Sequence, residues 1–147
     1  MDIQSVELWH QRARPNPTDQ NFQVQFGCHL EEIEEMLVTL RFESAMDQKL
    51  ADTARAAIKM LADGLKGGKA KVEITNRMEF LDSICDQVVT GIGSGHCAGM
   101  KTVPALQAVN TSNWSKFTPD GQPIFNENGK IMKNPETFHD ADLTGLY

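Results

Sequence analysis

Residues 18–41 read TDQNFQVQFGCHLEEIEEMLVTLR. The apolar residues Phe22, Phe26, Leu30, Ile33, Leu37 and Leu40 follow one another at steps of 4, 4, 3, 4 and 3, the period of an α-helix. Thr18 or Asp19 offers an N-cap, so a helix is expected from there to about Arg41. With Ile33 at the origin of a helical wheel, Phe22, Phe26 and Leu40 lie within about 20° and Leu30 and Leu37 within about 60°. Glu32, Glu35 and Glu31 form a contiguous arc at roughly −100°, −160° and −200°, beside that seam. Glu34 falls on the other flank.

Outward from this helix the chain repeats the helical pattern. Ile3, Val6 and Trp9 place a short helix at 2–13, stopped by Pro15-Asn16-Pro17. A third helix is expected over about 45–65, with Leu50, Ala54, Ala57, Ile58 and Leu61 as its buried face and Gly64 and Gly67-Gly68 as its stop. Residues 66–71, KGGKAK, read as a mobile connection. A fourth helix starts near Asn76, a cap residue with Glu79 at the third helical position, and carries Leu81, Ile84, Val88 and Ile92. On its wheel, with Leu81 at the origin, Asp82, Asp86 and Glu79 cluster near roughly 100°, 140° and 160°. Gly91-Ile92-Gly93-Ser94-Gly95 marks either a helix end or a close backbone approach. A short helix follows near 103–113. Asp120-Gly121 and Asn128-Gly129 are turn signals. The expected fold class is all-α: a bundle of four to five helices with an irregular or hairpin C-terminal arm over about 115–147, one domain across 1–147.

Composition narrows the function. The 147 residues are 40% hydrophobic and 23% charged, as in an ordinary globular chain. No run of 18 apolar residues exists to cross a membrane, and MDIQSVELWHQRAR lacks the apolar segment of a secretory signal. Three cysteines without a C-x-x-C suggest reduced thiols, mostly in the core. The expected location is cytoplasmic, or the host cytoplasm for a viral protein. His96 beside Cys97 has no second His/Cys pair to complete a metal site. Twenty acidic residues face fourteen basic ones, a net charge of −6, which argues against a nucleic-acid polymer as partner.

The acids are grouped. Glu31/Glu35 and Asp82/Asp86 are i,i+4 like-charge pairs, which destabilise a helix. Glu32/Glu35 and Glu79/Asp82 have the i,i+3 spacing that grips one ion from successive turns. Solvated helix faces would explain either stripe alone. Two stripes beside core seams fit hard divalent ions, Mg²⁺ first and Mn²⁺ as a substitute. The one Glu-x-x-His, Glu136…His139, lies in the arm, which argues against di-iron chemistry.

Glu31-Glu32-x-x-Glu35 followed by Glu79-x-x-Asp82 resembles the signature of the MazG-like all-α nucleoside triphosphate pyrophosphohydrolases, a group that includes the phosphoribosyl-ATP pyrophosphohydrolases and dimeric dUTPases. The stretch 79–87, EFLDSICDQ, looks like that family's second metal helix. Asn110-Thr111-Ser112-Asn113-Trp114-Ser115-Lys116-Phe117, then 120–124 and 129–135, are also family-like. The likeness covers roughly residues 20–40 and 76–143, and the gap between Glu35 and Glu79 is wider than in compact members.

The resemblance implies cleavage of a (d)NTP between the α- and β-phosphates, giving (d)NMP and pyrophosphate. It implies Glu32, Glu35, Glu79 and Asp82 as Mg²⁺ ligands, with Glu31 and Asp86 as further ligands or supports. Glu35, with Glu32, would be catalytic, taking the proton of the attacking water. Asn113, Lys116, Lys130, Lys133 and Trp114 are the candidates for holding substrate, and Trp9 for base stacking. A homodimer or homotetramer is also implied. The alternatives are a non-catalytic helical binding or regulatory module and another metal-dependent phosphohydrolase.

Overall fold

The computed structural model describes residues 3–147, so the expected helix start at residue 2 lies outside the described residues, as does Met1. The chain is all-α. Its five helices are α1 (Ile3–Ala13), α2 (Asp19–Val38), α3 (Ala45–Lys66), α4 (Arg77–Cys97) and α5 (Thr102–Trp114), and no strand occurs among the described residues. The chain forms two compact units. One holds α2, α3 and residues 125–130, and the other holds α1, α4, α5 and the rest of the arm.

Local chemistry sets the helix ends. Thr18 closes a capping box: its hydroxyl accepts the Asn21 N–H at 3.2 Å, and its own N–H donates to Asn21 Oδ1 at 3.0 Å. Asn76 Oδ1 accepts the Glu79 N–H at 3.3 Å, as its spacing predicts. The α2 helix ends at Val38, short of the expected Arg41. There the Thr39 hydroxyl turns back onto the Met36 carbonyl at 2.8 Å, and the Phe42 N–H is taken by Gln48 Oε1 at 3.1 Å. The glycine-rich stretch does not end α4, which runs through it to Cys97. Only Gly95 of its three glycines is closely approached, by Thr102; Gly91 and Gly93 face open space.

In the α2–α3 unit the two helices are antiparallel: Glu34 meets Arg55, Gly27 meets Ala62 and Leu65, and Gln23 meets Val72. The packed face of α2 is not the apolar stripe of the sequence. Gln23, Val24 and Gly27 are buried, whereas Phe22, Phe26, Leu30, Ile33 and Leu37 are half-buried and Leu40 is exposed. The stripe lies on the opposite side of the helix from Val24, since Ile33 is about 180° away from it. Close approach selects the smaller face. A Cβ on Gly27 would stand 2.9 Å from the Ala62 carbonyl oxygen and 3.2 Å from Leu65 Cβ. The expected buried face of α3 is corrected in the same way: Ala62 and Leu65 are buried, while Leu50, Ala54, Ala57 and Leu61 are exposed.

In the other unit, Trp9, Ala13 and Phe117 form the core, with Trp114 and Ile131 packed on it. The Trp9 indole N–H donates to the Asn113 carbonyl at 2.7 Å, tying α1 to the end of α5. The arm is irregular. Thr118 and Gln122 close one turn, with Gly121 at φ +77°, and the Met132 N–H donates to the Ile124 carbonyl at 2.8 Å. No residue of α4 is buried. Cys85 and Cys97 are exposed rather than core thiols, Cys28 is half-buried, and none of the three forms a disulfide among the described residues.

Gly27→Val should lower the thermal midpoint. The backbone carbonyl of Ala62 cannot move aside as a side-chain tip would, and overpacking of this kind costs about 1–3 kcal/mol. Calorimetry should read a fall of roughly 3–10 °C; an unchanged midpoint would contradict the close packing of α2 on α3.

Candidate functional site

The α2 carboxylates split into two groups. Glu31 and Glu34 are each paired with a cation of α3. Arg55 donates twice to Glu34 Oε1, at 3.2 and 3.1 Å. Lys66 Nζ donates to Glu31 Oε1 at 2.5 Å and Lys130 Nζ to Glu31 Oε2 at 2.9 Å. Glu31, one member of the like-charge Glu31/Glu35 pair, is thus neutralised by lysines distant in sequence. Glu32 and Glu35 are exposed and have no ionic partner among the described residues.

Two local devices place the lysines. Lys66 is the last residue of α3, and its stem crosses α2 at Gly27, where an added Cβ would meet Lys66 Cγ at 2.9 Å. The following residues form a closed turn rather than a loose link: the Lys69 and Ala70 N–H groups donate to the Gly64 carbonyl at 2.8 and 3.0 Å, and Gly68 adopts φ +70°. Lys130 follows a turn organised by Asn126, whose Oδ1 accepts the N–H groups of Asn128 and Lys130 at 3.0 and 2.9 Å.

Burial alone would raise the Glu31 pKa, but the hydrogen bonds and charges of Lys66 and Lys130 outweigh it and hold the carboxyl below its ordinary value. For Lys66, burial alone would lower the pKa, while Glu31 and Asp63 outweigh it and raise it. The pair is therefore charged at neutral pH.

On α4, Glu79, Asp82 and Asp86 are all exposed, and no Lys, Arg or His pairs with them among the described residues. Glu32/Glu35 and Glu79/Asp82 each stand one helical turn apart on an unbroken helix. Their donor set, hard carboxylate oxygens without competing cations, fits Mg²⁺ or Mn²⁺. Glu31 fits less well as a ligand, since each of its oxygens already accepts from an ammonium group. Among the described residues no three His, Cys, Asp and Glu side chains are gathered in one place as a metal-holding group.

The remaining candidates lie in the α1–α4–α5 unit. Lys116 Nζ donates to Asn113 Oδ1 at 2.7 Å and stands 5.8 Å from the Trp9 ring centroid. Trp114 packs on the core and donates its indole N–H to Ser5 Oγ at 3.2 Å; Trp9 is itself buried. Lys133 is exposed, 4.2 Å from the Phe138 ring centroid and 3.5 Å from Asp140. Asn113, Trp114 and Lys116 thus form one hydrogen-bonded corner, while Lys133 stands on the arm. Lys66 is the residue that sequence reading missed. Its signal was a lone glycine one turn before Glu31, which permits a neighbouring stem to cross.

Compared with known proteins, the chain matches no family model, no curated protein and no solved structure.

The Glu31 pairing makes a signed pH prediction. A carboxyl held below its unfolded value adds stability that is present above that value, near 4.5, and lost as the pH falls through the folded value. Glu31→Gln should lower the thermal midpoint at pH 7 by about 2–4 °C, corresponding to about 1 kcal/mol after solvent screening. That gap should close as the pH drops below 4.5. A gap that stays constant down to pH 3 would contradict the ion pair as its source.

Proposed function

We propose that this chain is a Mg²⁺-dependent nucleoside triphosphate pyrophosphohydrolase, releasing a (d)NMP and pyrophosphate. The observation that carries the reading is a set of five exposed carboxylates without cationic partners among the described residues: Glu32 and Glu35 on α2 and Glu79, Asp82 and Asp86 on α4. The spacing of the two i,i+3 pairs supports it, as do the family-like motifs that surround them.

In this reading Glu32, Glu35, Glu79 and Asp82 hold Mg²⁺, and Asp86 supports them. Bound Mg²⁺ would offset phosphate charge and make water more acidic. Glu35 would take the proton of the water whose oxygen attacks the α-phosphorus. The bond from the α-phosphorus to the bridging oxygen breaks, and pyrophosphate leaves with the electron pair. Glu32, one turn before Glu35 on α2, is the other catalytic candidate. Lys116, Lys130 and Lys133 would meet phosphate oxygens, Asn113 would hydrogen-bond sugar or phosphate, and Trp114 would stack on the base. The chemistry suits a cytoplasmic nucleotide pool.

A second copy of the chain belongs to the same proposal. Leu81 and Val89 on α4 are 64% and 66% exposed, and Leu50 and Leu61 on α3 are 61% and 56% exposed. Repeated apolar exposure of this size on two long helices is what an interface would cover. A homodimer or homotetramer would cover it, and light scattering should report one. A monomer with full activity would contradict this part.

Incubation with Mg²⁺ and a panel of NTPs and dNTPs should release pyrophosphate and no orthophosphate. Glu35→Gln and Asp82→Asn should each reduce turnover by about two orders of magnitude or more with the thermal midpoint retained. Absence of product from every nucleotide, or orthophosphate as the first product, would overturn the assignment.

A further inference from the structure

One carboxylate of α2 gathers two cations from elsewhere in the chain. Glu31 accepts from Lys66 at the end of α3 and from Lys130 at the arm tip, and all three belong to the same unit. Lys66 also stands 3.4 Å from Asp63, which pairs with Lys59 at 3.3 Å. The cluster holds three ammonium groups and two carboxylates, so it carries a net positive charge within a chain whose total is −6. Lys69 and Lys71 follow in the adjoining turn and add to that local field.

A plain structural tether would leave nothing over, but this cluster has donors to spare. An ammonium group has three N–H donors. Lys130 commits one to Glu31, and its side chain is 41% exposed. Lys66 is 16% exposed with its stem seated on Gly27, so its head is fixed rather than wandering. Glu35 follows Glu31 on the same face of α2, about 6 Å further along the axis. That face of α2 therefore meets the cationic cluster at Glu31 and carries Glu35, without an ionic partner among the described residues, one turn further on.

We propose that Lys66 and Lys130 bind the outer phosphates of the polyphosphate substrate, with Glu31 as the positioning residue that fixes both ammonium groups. The inference rests on the reading above, in which the neighbouring α2 carboxylates serve the α-phosphate end. A polyphosphate offers several charged oxygens to the remaining N–H donors, and charge-assisted hydrogen bonds of this kind are the strong ones. Glu31 keeps the two lysines from repelling each other before substrate arrives.

The test uses inorganic tripolyphosphate as probe, titrated calorimetrically into the full chain at fixed salt, with NTP kinetics and thermal midpoints measured alongside. Lys66→Met keeps the stem that crosses Gly27 and removes the charge. It should weaken tripolyphosphate binding about tenfold or more and raise the NTP KM more than it lowers kcat. Lys66→Arg, which keeps the charge, should recover part of the loss, and Lys49→Met, on the first half of α3, should change nothing. Glu31→Gln should raise KM while leaving Mn²⁺ affinity as in the parent; a fall in Mn²⁺ affinity would make Glu31 a metal ligand and overturn the positioning role. Unchanged tripolyphosphate affinity in both Lys66→Met and Lys130→Met, with folding intact, would overturn the inference even in an active pyrophosphohydrolase. Lysine-dependent tripolyphosphate binding without any NTP hydrolysis would instead uphold the anion site and remove the enzymatic reading.

Discussion

The contact on which the α2–α3 unit depends is the crossing of the Lys66 stem over Gly27. Only a residue without a Cβ lets α3 come this near, because the Ala62 carbonyl and the Lys66 chain both fill the space a side chain would need. That closeness puts the Lys66 ammonium within reach of Glu31, one turn further along α2. It also sets the register in which Arg55 meets Glu34 and Gln23 meets Val72, the last through two hydrogen bonds of 2.7 and 2.8 Å. A packing constraint at one glycine therefore fixes which charges are neutralised.

This divides the acidic excess by role. Six carboxylates, Glu31, Glu32, Glu35, Glu79, Asp82 and Asp86, account for the difference between twenty acidic and fourteen basic residues. Glu31 is neutralised from within the chain. The other five have no cationic partner among the described residues, and like charges at helical spacing are unfavourable until something positive joins them. A divalent ion is the simplest partner for oxygen donors in that pattern. Lys66 of α3 and Lys130 of the arm bring charge of the opposite sign to α2 at Glu31.

Much of the fold was legible because its signals are local. Thr18 and Asn76 cap the helices their spacing suggests, and Gly121 and Gly129 take the positive φ that their turn dipeptides imply. The choice of packed face was not legible. The periodic stripe through Phe22, Phe26 and Ile33 is the louder pattern, yet α3 packs on the quieter side through Val24 and Gly27. Close helix approach rewards small side chains, and apolar period alone cannot rank two faces. The carboxylates of the candidate site could be named from spacing, but their partners could not. Lys66 and Lys130 lie 35 and 99 positions from Glu31, and no local rule links them.

The proposed attack of water at the α-phosphorus leaves its record in the fate of solvent oxygen. Turnover of the best nucleotide in heavy-oxygen water with Mg²⁺, followed by phosphorus NMR, should place the label in the nucleoside monophosphate and leave the pyrophosphate unlabelled. Label in the pyrophosphate, or in orthophosphate, would mean attack at an outer phosphorus and would contradict the proposed chemistry.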